Sequence, residues 1–91
     1  MTFRAVKPTD GTPYGVEIPE HTKSDVESRI KNAAASAHAI ANQSPKERAL
    51  LLRTIAAEIE TVRTSLVESA CAETALPEAR IGGEITRTTV Q

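Results

Sequence analysis

Between Ser44 and Val62 the apolar positions fall at helical spacing: Leu51, Leu52, Ile55, Ala56, Ile59 and Val62 form one stripe. Lys46, Arg53 and Glu60 lie on the opposite side. The start of this helix is written into the sequence. Ser44 can accept a hydrogen bond from a free amide of the first turn, and Glu47 can reach back to the Ser44 amide. Pro45 gives up only an N–H that would have had no helical partner. This helix organises the rest of the chain.

The pattern before it is different. Phe3, Ala5 and Val6 precede the turn cluster Pro8-Thr9-Asp10-Gly11-Thr12-Pro13, and Tyr14-Gly15-Val16-Glu17-Ile18 then alternates in character. Asp10-Gly11 is a tight-turn pair, so the spacing predicts a short β-hairpin, closed by Pro19. Two strands alone are barely stable in water, so the hairpin wants a surface to lie on. A first helix is expected to begin near Ser24, with Ser24 and Glu27 as a capping box. Val26, Ile30, Ala33, Ala34, Ala37, Ile40 and Ala41 share its apolar face. Asp25–Arg29 and Glu27–Lys31 are acid-before-base pairs four apart, each contributing roughly 0.3 kcal/mol. The short Asn42-Gln43 connection predicts that the first two helices are antiparallel neighbours.

After Val62 two readings stand. Ser65 and Glu68 can cap a new helix, or the second helix runs on through Leu66. Either way Leu66, Val67, Ala70, Cys71 and Thr74 make a stripe, and Pro77 stops or restarts the helix, suiting a first-turn position. The last stretch is conflicted. Gly82-Gly83 weakens a helix by roughly 1 kcal/mol per glycine, and Thr86, Thr88, Thr89 and Val90 favour a strand. Yet Ile81, Ile85 and Thr89 also share a helical face. The chain reaches Val90-Gln91 without a stop signal, so we expect it to be cut within an element. The fold class expected is mainly α: a hairpin and connector over 1–21, then three or four helices over 22–91, as one incomplete segment.

Composition sharpens the need for a partner. Hydrophobic residues make up 40% of the chain, but fourteen are Ala, and the only aromatics are Phe3 and Tyr14. Ninety-one residues with so little bulk bury too little area to offset chain entropy comfortably. The helices therefore want an outside surface, either more chain or another copy. A net charge of −1 without a basic patch argues against nucleic acid. No apolar run has the length of a membrane span, and no signal-peptide core follows Met1, which together with a single cysteine suits the cytoplasm.

Candidate chemistry is thin. Cys71 has Ala70, Ala72 and Glu73 as sequence neighbours and reads as a small residue on a helix face rather than a nucleophile. His21 and His38 share no ligand spacing with it, so no metal site is expected. Glu58, Glu60, Glu68 and Glu73 fit a solvated helix face. Gly82-Gly83 lacks the spacing of either phosphate-binding glycine motif. Arg80, Glu84 and Arg87 read as a surface network in which Glu84 can pair with either arginine.

The order of these pieces nevertheless resembles a known family. The run Ser44-Pro45-x-x-Arg48-Ala49-x-Leu51-Leu52-x-x-Ile55-Ala56-x-x-Ile59, followed by Glu73-Thr74, is similar to the N-terminal segment of the NAD(P)-dependent aldehyde dehydrogenases. The continuation through Leu76-Pro77-Glu78-Ala79-Arg80, Glu84, Arg87-Thr88 and Gln91 looks closest to the 2-oxoglutarate semialdehyde (2,5-dioxovalerate) dehydrogenase branch. The resemblance implies a leading hairpin and helices on the outside of a cofactor-binding domain, with the last segment helical. It implies a parent homo-oligomer that oxidises an aldehyde through a cysteine thiohemiacetal, passing hydride to NAD or NADP. The family's glycine-rich loop, catalytic cysteine and general-base glutamate match nothing in these 91 residues. No catalytic, cofactor-binding or metal-ligating residue is carried over, and no cofactor is expected to bind this segment alone. Ala75 replaces the glycine usual after Glu-Thr, so a left-handed turn there is expected to be lost or reshaped. The alternative is a free-standing helical module that dimerises through the stripe over 51–62 and catalyses nothing.

Overall fold

The computed structural model describes all 91 residues: a two-stranded antiparallel sheet of β1 (Thr2–Val6) and β2 (Pro13–Pro19), then α1 (Lys23–Ala41), α2 (Pro45–Thr61), α3 (Arg63–Thr74) and α4 (Glu78–Val90). The hairpin is present but its turn is wider than a two-residue one. Lys7 and Thr12 close a loop in which Gly11 takes φ 75°, and the Asp10 carboxylate accepts from both the Thr12 amide (2.9 Å) and the Thr12 hydroxyl (2.6 Å). Phe3 pairs with Ile18 and Ala5 with Tyr14, so β2 carries surplus residues at a bulge where Gly15 adopts φ 78°. One part of the sheet reaches the helices, where β2 touches α3.

Helix α2 begins as its sequence dictates. The Glu47 amide donates to Ser44 Oγ at 3.1 Å, and the Ser44 amide donates to Glu47 Oε2 at 2.7 Å. Helix α1 starts at Lys23, near Ser24 as expected, but with a different cap. Its N-cap is Thr22, not Ser24, and its capping box pairs Thr22 with Asp25. Both residue pairs carry a hydroxyl followed three residues later by an acid. The Thr22 box is the one formed, and it lengthens the helix by two residues. Asp25 is thereby used in the cap, with hydrogen bonds from Thr22 that lower its carboxyl pKa, and it makes no ion pair with Arg29. Glu27 turns back to Lys23 at 3.8 Å instead of forward to Lys31.

The junction at Val62 decides between the two readings of the next helix. Val62 takes φ −111° and ψ 14°, which breaks α2 from α3 without a side-chain cap. Ser65 lies inside α3, so the Ser65–Glu68 box is not formed. Thr61 helps end α2 by donating to the Glu58 carbonyl at 2.6 Å. Helix α3 ends at Ala75, which keeps the left-handed conformation (φ 59°) despite its Cβ, its amide donating to the Cys71 carbonyl at 2.9 Å. The expected loss of that turn is therefore overturned. Pro77 is the N-cap of α4 rather than a first-turn residue, and α4 runs as helix through both glycines to Val90, against its strand preference.

Packing is confined to one corner. Helix α4 lies against α3 and α2, and Ile81, in its first turn, is the one buried residue of the chain. Helix α1 is exposed along its whole length, so the predicted α1–α2 pairing is not a packed interface. The short connector sets the direction of the chain but cannot by itself bring two faces together. The molecule is a slab of 48 × 36 × 15 Å with a radius of gyration of 17.3 Å, where a compact chain of this length would have about 12 Å.

Candidate functional site

The densest polar cluster sits where α2, α3 and α4 meet, and Arg63 is its centre. Arg63 is the first residue of α3, and Glu60 lies in the last turn of α2. Each stands at the end of its helix where the backbone dipole disfavours its charge. They offset this by pairing across the break: Arg63 Nε donates to Glu60 Oε2 at 2.7 Å and Arg63 Nη2 to Glu60 Oε1 at 2.8 Å. The two parallel bonds make a bidentate pair, the strongest geometry for these groups. The same guanidinium reaches α4, donating to the Gly82 carbonyl and the Thr86 hydroxyl, both at 3.0 Å. Glu60 also accepts from the Thr89 hydroxyl at 2.8 Å. The hydrogen bonds from Arg63, then that from Thr89, hold the Glu60 carboxyl down at about 2, and the pairing raises the Arg63 pKa.

Glu60 stays exposed, as expected of a solvated helix face, but it is also tied to Arg63 and to Thr89 of α4. Helix α4 meets the edge of the stripe at Ile59, while Leu52, Ile55 and Val62 are left uncovered. Arg63 itself was not singled out by the sequence. The signal was there: Glu60-x-x-Arg63 is an acid-before-base pair three apart, a spacing at which helical side chains meet. What the sequence does not show is that the pair straddles a helix break and so can reach a third helix. The Arg80–Glu84–Arg87 network does not form; the ion pairs are Arg4–Glu17, Lys23–Glu27 and Glu60–Arg63.

Beside this cluster, a groove of about 880 Å³ runs between α3 and the start of α4, lined by Arg63, Val67, Cys71, Leu76 and Ala79 among others. Cys71 is a free, half-buried thiol there. Neither histidine lines the groove: His21 Nε2 lies 3.0 Å from Arg29, and His38 Nε2 lies 3.0 Å from Asn42. No three histidine, cysteine or acidic side chains come together in a way that could hold a metal ion.

The glycines do not fit a dinucleotide. Gly82 and Gly83 lie inside a helix and the Gly82 carbonyl is occupied by Arg63 and Thr86, while Gly11 and Gly15 belong to the hairpin. A phosphate cradle needs consecutive free amides at a helix start, and no glycine here supplies them.

The large apolar surface is the other candidate. Leu52 is 61% exposed, Ile55 47% and Val62 48%, all on the α2 stripe. Ile59 joins Leu66, Ala70, Ile81 and Ile85 in an adjoining apolar groove. The whole chain exposes 7367 Å², roughly 2,200 Å² more than a folded protein of its mass. That surplus is of the size that obligate interfaces bury. No helix is long and apolar enough to cross a membrane.

Comparison with known proteins bears on what such a segment is. The aldehyde dehydrogenase family matches residues 1–91. Alpha-ketoglutaric semialdehyde dehydrogenase 2 of Azospirillum brasilense is 37% identical over 91 residues, an alignment that takes in 99% of this chain and 17% of that protein. The 91 residues thus span about a sixth of the curated relative's length. A hairpin followed by four helices with almost no core of their own, matched along their full length, places the chain in the aldehyde dehydrogenase family as an N-terminal segment of that fold.

Proposed function

We propose that these residues are scaffold of an NAD(P)-dependent aldehyde dehydrogenase that oxidises an aldehyde such as 2-oxoglutarate semialdehyde to the acid. The name of the relative from Azospirillum brasilense supports that substrate class. One observation carries the scaffold role: a single buried residue in 91, beside a long uncovered apolar stripe. The helices are shaped by their own caps, but their apolar faces wait for the body of an enzyme, as the outer part of its cofactor-binding domain. The segment adds no catalytic group and binds no NAD or NADP alone. The parent is read as a cytoplasmic homo-oligomer with no nucleic-acid or membrane partner.

Two assays test this. The purified 91-residue chain, given 2-oxoglutarate semialdehyde with NAD⁺ or NADP⁺, should produce no reduced cofactor; measurable NAD(P)H would overturn the scaffold reading. The complete reading frame that carries these residues should oxidise that semialdehyde, and failure with it but success with another aldehyde would overturn the substrate alone. The open α2 stripe also favours a second reading, a helical module that dimerises and catalyses nothing. Sedimentation separates the two. A tight dimer with one cooperative melt favours the module, and a loose or aggregating chain favours the scaffold.

A further inference from the structure

Helix α4 is the least self-sufficient element of the chain. Two glycines sit in its middle, Ile81, Ile85, Thr86, Thr88, Thr89 and Val90 are β-branched, and Pro77 gives its N-terminus no side-chain cap. Local preference here opposes the observed helix, and such conflicts mark places where tertiary contacts decide the state. The contacts that decide it are few. Arg63 holds the Gly82 carbonyl and the Thr86 hydroxyl, Glu60 holds the Thr89 hydroxyl, and Ile81 is buried. Arg63 is fixed in turn by its bidentate pair with Glu60, so one ion pair outside α4 anchors three successive turns of it.

We propose that α4 is a conditional helix, a strap that closes on the α2–α3 corner through Arg63 and opens when that side chain is withdrawn. The alternative state is the extended chain that its threonines prefer. Opening exposes Ile81 and removes one wall of the groove containing Cys71. The device is two-state in the sense that a partner or modification competing for Arg63 would shift it.

The proposal rests on the scaffold reading, and amide hydrogen exchange on the complete protein that carries these residues tests it. In the parent sequence, amides of residues 84–90 should be protected. In R63Q that protection should fall about tenfold or more, while amides of residues 50–59 in α2 keep theirs. In the R63Q/G83A double variant it should return, because a Cβ at residue 83 meets nothing within 4 Å and raises helix propensity directly. Unprotected α4 amides in the parent sequence would overturn the proposal. So would unchanged protection in R63Q, an equal loss in α2 and α4, or no recovery in the double variant.

Discussion

Ala75 shows how a single residue can carry strain that its neighbours hold in place. Its φ of 59° suits glycine, and a Cβ there costs about 1–2 kcal/mol. Thr74 supports the turn from both sides, donating to the Ala70 carbonyl at 2.6 Å and accepting from the Leu76 amide at 3.2 Å. Ala75→Gly should therefore stabilise the chain by about 0.5–1 kcal/mol, the relief of strain outweighing the added chain entropy, as read from urea unfolding followed by circular dichroism. Glu60 yields a prediction in pH. Its folded pKa is depressed to about 2, so its contribution is complete above the ordinary carboxylate range near pH 4–5 and is lost as pH falls toward 2. Acid titration should release the Thr89 and Arg63 contacts over that window, visible in the Thr89 NMR resonances, and Glu60→Gln should flatten that limb. Ser44 and Glu47 were legible because a cap is a local interaction; Arg63 was not, because its partners in α4 lie 19 and 23 residues on, in a helix whose course the sequence left open.

Among the elements, helices differ in what sustains them. Helix α2 has its cap and a continuous good helix-forming sequence, so its existence and start could be read directly. Helix α1 has a cap and 19 residues but buries none of them, and a helix of that length without packing is marginal in water. Its amides should therefore exchange faster than those of α3 in native-state hydrogen exchange, despite its better capping. The helix starts at Lys23, near Ser24 as expected, but the capping pair differs because Thr22-x-x-Asp25 offers the same chemistry two residues earlier, and sequence spacing alone does not rank two overlapping boxes. The α2–α3 boundary was open in the sequence for a related reason. Val62 carries no breaking signal, and the break is stabilised by the Glu60–Arg63 bridge spanning it.

At the scale of the whole molecule the excess surface dominates. A slab 15 Å thick cannot bury both faces of its helices, and the largest side chains stay in solvent. Substitutions on the α2 stripe should then barely affect the chain itself. Leu52→Glu combined with Ile55→Glu should change its stability by less than about 0.5 kcal/mol per site, while abolishing concentration-dependent association in sedimentation. The same pair in the complete enzyme should be strongly destabilising, because the scaffold reading puts those residues under the enzyme body.

The sequence by itself determined the local features: the hairpin and its Asp10-Gly11 turn, the Ser44 cap, the α2 stripe, the scarcity of bulky apolar residues and the kinship to a dehydrogenase family. The kinship rests on the resemblance in the order of motifs, and the other features follow from interactions between residues a few positions apart or from composition. Tertiary structure decided that 82–90 is helix, which the family resemblance implied but local preference opposed, that Glu60 is tied to Arg63 and Thr89, and that α1 is not packed on α2. Those outcomes depend on contacts between distant residues. Where intrinsic preferences are weak or opposed, as in α4, a few such contacts settle the conformation.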